Sequence, residues 1–194
     1  MPSIRRPQCA VGGATGGEGF VKITGEVGTG KTLLCRTLLD ALDGHYDTAY
    51  LPNPLLDPLD LYRAVAAELG LAELQWTDIH GLLGRIVNHL LRVADSGRRV
   101  VLCIDEAQSM SDAALEAVRL LSNVETTKRK LLHIVLFGQP ELDERLAGRS
   151  LRQLRQRLAF SYRLTPFDLA GTCGYVSHRL KTAGCQNPCL VVLP

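Results

Sequence analysis

The sequence lacks a dominant charge, a membrane-length apolar run and the segment that would mark export. Its 22 basic and 20 acidic residues leave a net charge of +2. This charge creates no strong electrostatic field that would favour a polyanion as the main partner. No apolar run reaches the roughly 18 residues that a spanning helix requires. Arg5 and Arg6 are not followed by the apolar segment of a signal peptide. These absences predict a soluble protein that is not exported.

The six cysteines lack the spacing of a disulfide framework. Two of them lie within apolar stretches that predict core positions, so we expect reduced thiols in a cytosolic protein. Cys185 and Cys189 are four residues apart, but no second His or Cys pair has the spacing of a zinc site. The pattern therefore does not favour a structural metal.

The hydrophobic pattern predicts one α/β domain, since 194 residues with 46% hydrophobic content can bury one core of ordinary size. Residues 1–19 are rich in Gly and Pro and predict a loose leader, residues 20–184 the core, and residues 185–194 a tail. Within the core, alternating strands and helices predict a parallel sheet with helices on both faces. The predicted strands are residues 20–24, 48–51, 100–104, 132–137 and 159–164, and the predicted helices are residues 31–42, about 61–69, 78–94 and 111–121.

One glycine-rich segment follows the first predicted strand and precedes an amphipathic helix. Its glycines let backbone N–H groups turn toward phosphate oxygens, and the helix adds its positive dipole end. The lysine would reach the β- and γ-phosphates, and the last threonine would offer its hydroxyl to Mg²⁺. The segment, a predicted ATP site, is Gly25-Glu26-Val27-Gly28-Thr29-Gly30-Lys31-Thr32.

Two acidic residues, Asp105 and Glu106, close the most apolar predicted strand. Parallel strands bring their carboxyl ends to one edge of the sheet, so both acids should lie near the glycine-rich segment. This is the Walker B arrangement: Asp105 would hold Mg²⁺ together with Thr32, and Glu106 would activate the attacking water. The adjacent acids favour a hydrolase over a small-molecule kinase, although acids at this place could also merely end a strand.

Gln139 follows the next predicted strand and should emerge at the same edge. It could sense the γ-phosphate, or it could be a turn residue that only solvates a loop. The sequence leaves both interpretations open.

An arginine-rich stretch lies between positions 145 and 163. An arginine finger delivered to a neighbouring subunit is one interpretation, with Arg157 the first choice and Arg155 the second; Arg152 is also a candidate. A basic face for nucleic acid is another. Leu151, Leu154 and Leu158 recur at helical spacing, so most of these charges are expected to cover the outside of a packed helix.

Taken together, these motifs resemble AAA+ ATPases of the general secretion pathway protein A group, which includes the MSHA pilus biogenesis ATPases. The resemblance rests on residues 23–32 (ITGEVGTGKT), 104–108 (IDEAQ) and 137–142 (FGQPEL), and on residues 151–158 (LRQLRQRL) followed by 162–164 (YRL). It implies a three-layer P-loop NTPase core with a parallel five-stranded sheet. It also implies Mg²⁺-dependent hydrolysis of ATP in an oligomer, at the cytoplasmic face of the inner membrane, with a type II secretion or pilus assembly protein as partner.

The resemblance leaves two departures and two alternatives. Family members begin with a helical segment beside the nucleotide, which residues 1–19 do not resemble. They also continue into a helical lid with a Gly-x-Pro-Arg motif, which this sequence does not contain, so we expect the lid to be missing and turnover to be weak. The alternatives are a DNA-associated ATPase of the transposition or replication-initiation type, and a module that binds nucleotide with little turnover.

Overall fold

The computed structural model describes residues 19–71, 78–124 and 130–184. The leader and the tail, with Cys9, Cys185 and Cys189, lie outside these residues apart from Gly19. The strands are β1 (Phe20–Gly25), β2 (Asp47–Leu51), β3 (Val100–Ile104), β4 (Leu132–Gly138) and β5 (Leu158–Leu164). The helices are α1 (Lys31–Leu42), α2 (Pro58–Glu68), α3 (Ile79–Asp95), α4 (Asp112–Leu121), α5 (Pro140–Ala147), α6 (Arg152–Arg157) and α7 (Leu169–Thr182), with a 3-10 turn at Ala107–Ser109.

The strands form one parallel sheet in the order β2-β3-β4-β1-β5. β4 therefore lies between β1, which leads into the glycine-rich segment, and β3, which leads into the two acids. Every residue of β1, β3 and β4 is buried, as continuous apolar strands covered on both faces should be. The predicted five-stranded parallel sheet is confirmed.

Alternate residues of the central strands pack into two separate cores, which makes the domain three layers thick. Leu102 of β3 faces the core under α2 to α6. Cys103, the next residue, faces the opposite core, where Cys35 and Leu38 of α1 cover the sheet. This alternation follows from the two-residue period of a strand. The three-layer prediction is confirmed.

Cys35, Cys103 and Cys173 are free cysteines among the described residues, and their reduced state in the cell stays a prediction. A hydrogen bond with Cys103, followed by burial, raises the pKa of Cys35 far above its ordinary value. Both thiols are fully shielded from solvent, so they fill the core under α1 and are poor nucleophiles.

The arginine-rich stretch is divided among α5, α6 and β5, and the packed helix expected from Leu151 and Leu154 is the short helix α6. Arg145 lies on α5, and α5 ends at Gly148, whose extended backbone breaks the helix. α6 is only six residues long, and Leu158 leaves it to begin β5 beside Phe20. Leu151 and Leu154 are buried in the same core, whereas Arg152 and Arg155 are exposed, so the expectation that these charges cover a packed helix is confirmed for α6.

The chain continues past β5 into α7, where the sequence patterns predict no element. Asp168 begins α7 by accepting a hydrogen bond from the Gly171 N–H at 2.7 Å. The helix has no buried residue, and Phe167 stacks on Tyr175 with the ring centroids 6.0 Å apart. Across the ranges 19–71, 78–124 and 130–184, no helix is long and apolar enough to cross a membrane.

Asp143 of α5 binds two buried groups of β1, the Lys22 ammonium and the Thr24 hydroxyl. We predict that Asp143→Asn lowers the free energy of unfolding by about 2–3 kcal/mol, because it leaves a buried ammonium without its carboxylate. Asp60→Asn is the matched control, since the Asp60–Arg63 pair is exposed and should contribute less than about 1 kcal/mol. Equilibrium urea unfolding measures both. Adding Lys22→Met to Asp143→Asn should recover part of the loss, and equal losses for Asp143→Asn and Asp60→Asn would contradict the prediction.

Candidate active site

The glycine-rich segment turns from β1 into α1 through backbone that favours glycine. Gly28 and Gly30 have φ angles of 81° and 86°, in the left-handed region that side chains with a Cβ rarely adopt. Gly25 has a different role, because a Cβ there would lie 2.7 Å from Thr29 Oγ1 and 2.9 Å from Leu164 Cβ. The glycines therefore provide both the curl of the loop and its close packing on β5.

Lys31 is held at the centre of this loop. Its side chain is buried, and its ammonium donates to the Gly25 carbonyl at 2.8 Å and to the Glu26 carbonyl at 2.9 Å. Thr29 Oγ1 also donates to the Glu26 carbonyl, at 2.8 Å. The carbonyls of the loop thus hold the Lys31 ammonium where a phosphate oxygen would accept its hydrogen bonds.

Asp105 joins the loop to the end of β3. Thr32 Oγ1 donates to Asp105 Oδ2 at 2.7 Å, and the Glu106 N–H donates to Asp105 Oδ1 at 3.0 Å. Asp105 is 2% exposed. Mg²⁺ prefers one or two protein oxygens together with water and phosphate oxygens, and the adjacent Thr32 and Asp105 oxygens fit that requirement.

Glu106 has a left-handed backbone, with φ 53° and ψ 37°, and among the described residues it is the one non-glycine residue with positive φ. Its carboxylate Oε2 accepts from Gln139 Nε2 at 3.3 Å and also from Gln108 Nε2. Side chains therefore join the ends of β3 and β4. Gln139 lies at the same edge of the sheet as Glu106, as the sequence predicts. Left-handed backbone in a non-glycine residue is uncommon and is often found at functional sites.

These groups surround a cavity of about 260 Å³. Residues from three parts of the chain line it: Val27, Gly28, Gly30, Lys31, Thr32, Leu33, Glu106 and Gln139. Five of the predicted ATP-binding residues and two of the predicted catalytic residues beyond the loop thus meet at one place. Gly25, Glu26 and Thr29 are instead placed to shape the loop.

Arg157 lies away from this cavity. It ends α6 directly before β5, and Leu158 pairs with Phe20 at the amino end of β1. The six residues of β1 separate that edge from the glycine-rich segment by roughly 17–20 Å. Arg157 therefore does not reach the cavity of its own chain, whereas Arg163 lies at the cavity's edge of the sheet, with Nη2 3.8 Å from Glu26 Oε1.

Arg145 has an internal role. Its guanidinium donates to the carbonyls of Gln108 at 2.8 Å and Met110 at 2.6 Å, and it pairs with Asp112. Hydrogen bonds from Arg145 and then from Ser150 hold the pKa of Asp112 below its ordinary value. This arginine positions the turn after Glu106.

Sequence reasoning missed Gln108, Leu33 and Arg145. Leu33 follows Thr32 in the same helix and is half exposed at the cavity. Gln108 and Arg145 act across 31 and 37 positions of the chain, so no local spacing identifies them. The available signal was a polar residue, Gln108, two positions after the acid pair.

Comparison with known proteins agrees with this geometry. Residues 14–146 match the AAA domain family. Over 176 residues, which are 91% of the chain, the sequence is 43% identical to general secretion pathway protein A of Aeromonas hydrophila. The match covers 32% of that protein, so the chain spans about a third of the relative's length.

Two archaeal structures have similar folds. Cdc6p of Pyrobaculum aerophilum superposes with a TM-score of 0.73 and 15% identity, over 94% of this chain and 50% of that one. The Aeropyrum pernix ORC1 protein in complex with DNA gives 0.67 and 18%, over 92% and 48%. At such identities the likeness shows the fold alone. The family match and the 43% identity carry the assignment: the chain belongs to the AAA domain family and is similar to general secretion pathway protein A.

Proposed function

We propose that this chain binds ATP together with Mg²⁺ and hydrolyses it between subunits of an oligomer. The observation that carries the proposal is the cavity in which Glu106 faces the Lys31 and Thr32 end of the glycine-rich loop. Attack by water on a terminal phosphate requires a phosphate-binding loop and an acid that activates the water. Here the loop and the acid lie at the ends of two buried strands.

Binding exchanges hydrogen bonds that the site already makes. The Lys31 ammonium leaves the carbonyls of Gly25 and Glu26 for phosphate oxygens, while the N–H groups at the start of α1 face the same charge. Thr32 and Asp105 would hold Mg²⁺, which neutralises charge on the phosphate oxygens when bound. Val27 and Leu33 are exposed at the cavity and offer apolar surface to the rest of the nucleotide.

Hydrolysis is assigned to Glu106 as the general base. Its carboxylate accepts the proton of the attacking water, whose oxygen then bonds to the γ-phosphorus. The bond from the γ-phosphorus to the β,γ-bridging oxygen breaks at the same time, and ADP is the leaving group. Gln139 Nε2, a donor at 3.3 Å from Glu106, lies at the end of β4 where it can reach the γ-phosphate or the water. It therefore orients the reacting groups and carries no proton itself.

The proposed oligomer rests on the assignment of Arg157 as an arginine finger. A finger at the amino edge of the sheet serves a neighbouring site and not its own, so the proposed site is complete only between two subunits. An arginine delivered in this way can contribute about 10³–10⁵-fold to turnover.

The cellular role rests on similarity alone. The relative's name, general secretion pathway protein A, supports a function in assembling a secretion or pilus system, with a membrane protein of that system as partner and the cytoplasmic face of the inner membrane as the location. Since the chain spans only a third of that relative, partner and location remain part of the proposal.

A DNA-associated role is the second candidate. Three arginines, at positions 149, 152 and 155, are exposed near α6 and offer positive charge to phosphates. A mobility shift of duplex DNA that weakens steeply with salt would favour this candidate.

We predict that Lys31→Ala lowers ATP affinity about 10- to 150-fold, because it removes a charge-assisted contact of roughly 1.5–3 kcal/mol. Calorimetric titration with ATP and Mg²⁺ measures this change. Lys181→Ala is the control, since Lys181 is an exposed lysine on α7. Wild-type affinity in Lys31→Ala would refute the phosphate-loop assignment.

We predict that Glu106→Gln keeps ATP bound but lowers turnover by about 10²–10⁴-fold, because an amide cannot take the proton from water. Asp105→Asn should instead weaken binding that depends on Mg²⁺. Steady-state phosphate release and nucleotide titration separate the two effects, with the exposed Glu141→Gln as the control. Equal loss of affinity in the Asp105 and Glu106 variants would mean that their roles are wrongly divided.

We predict that turnover rises faster than linearly with protein concentration and that Arg157→Ala removes this rise without changing ATP affinity. Mixing Arg157→Ala with Glu106→Gln subunits should restore activity, since mixed interfaces can contain one intact site. Arg179→Ala, an exposed change on α7, is the control and should behave as wild type in the mixture. A mixture no more active than its separate components would argue against a finger supplied in trans.

A further inference from the structure

Gln108 joins Glu106 to the end of β4 through both ends of one amide. Its Nε2 donates to Glu106 Oε2, and its Oε1 accepts from the Gln139 backbone N–H at 3.0 Å. The orientation of the amide is fixed by chemistry, because an ionised carboxylate can only accept and a backbone N–H can only donate. This side chain therefore adds a second link between Glu106 and Gln139, beside the direct hydrogen bond from Gln139 Nε2 to Glu106 Oε2 at 3.3 Å.

The neighbouring backbone is shaped to admit this side chain. A Cβ at Gly138 would lie 3.2 Å from Gln108 Oε1 and 2.7 Å from Leu142 Cδ2. The glycine at the end of β4 thus allows the amide and Leu142 to pack over the strand's last residue, so the contact is built into the packing of the site.

The turn that carries Gln108 is held at both of its ends. Ser109 donates to the Glu106 carbonyl through its N–H at 2.9 Å and through Oγ at 2.7 Å. The Gln108 carbonyl accepts from Arg145 Nη1 at 2.8 Å, which fixes the turn against α5. Since the backbone is held on both sides, the amide has little freedom to move independently of Glu106 and Gln139.

We propose that Gln108 is a positioning residue of the hydrolytic site, which holds the Glu106 carboxylate against the backbone of Gln139 and so keeps the base in place for the attacking water. The inference rests on the hydrolysis proposed above and adds a residue to it. Gln108 does not line the cavity with Glu106 and Gln139, so it acts through these two residues and not on the nucleotide. Its removal should slow the chemical step and leave nucleotide binding as it is.

The test is Gln108→Met, which keeps the length of the side chain and removes both hydrogen bonds. We expect kcat to fall about 10- to 100-fold, a part of the roughly 10²–10⁴-fold that a positioned base supplies, with KM and ATP affinity within twofold of wild type. Gln108→Glu separates the two bonds: it can still accept from the Gln139 N–H but cannot donate to Glu106, so kcat should fall at least as far. Gln153→Met on the exposed face of α6 is the matched control and should not change kcat.

A double-mutant cycle distinguishes positioning from a structural role. Because the effect passes through Glu106, Gln108→Met should lower the residual turnover of Glu106→Gln by less than threefold. The positioning role would be overturned if Gln108→Met lowered the turnover of Glu106→Gln by the full 10- to 100-fold. It would also be overturned if Gln108→Met alone lowered ATP affinity 10- to 100-fold. Wild-type kcat in both Gln108 variants would overturn this role and leave the proposed hydrolysis intact. A wild-type chain that binds ATP without turnover would overturn both.

Discussion

The in-register parallel pairing of β3, β4 and β1 is the constraint on which the site depends. Thr24 pairs with Gly138 and Ile104 pairs with Leu136, so the three strands end within two residues of one another. Because all three run in the same direction, the segments that follow them emerge at one edge. Burial on both faces holds this register, since a shift of one residue would exchange the two cores.

The polar groups at this edge are bound to one another, and this shapes what the site can do. The Lys31 ammonium donates to two loop carbonyls, and Asp105 accepts from both Thr32 and the backbone of Glu106. A nucleotide must exchange these bonds, so the net gain from each contact is smaller than its gross strength. The same bonds hold the groups in place before the nucleotide arrives, which lowers the entropy cost of binding and of reaction.

Local patterns predicted the strands and the phosphate loop because each is determined within a few residues. Five apolar residues before Asp105 are enough to indicate a buried strand, and the loop needs only its own glycines, Lys31 and Thr32. Gln108 could not be predicted in this way, since its partner Gln139 is 31 residues away and the contact depends on the missing side chain of Gly138. The arginine-rich stretch was predicted in part: Leu151 and Leu154 bury one face of α6, whereas Leu158, at the same spacing, already begins β5.

The direction of the sheet also limits how subunits could cooperate under the proposed mechanism. The cavity opens at the carboxyl edge of β1, whereas Arg157 lies at the amino edge of β5. A two-fold dimer buries the same surface of each subunit against its copy, so an interface centred on the cavity would bring two cavities together and leave both fingers outside. A head-to-tail contact brings the arginine-bearing surface of one subunit against the cavity of the next, and repetition of that contact gives a ring or a helix. If Arg157 is the finger, the assembly must be heterologous, and every subunit except one at an open end then supplies one site and completes another.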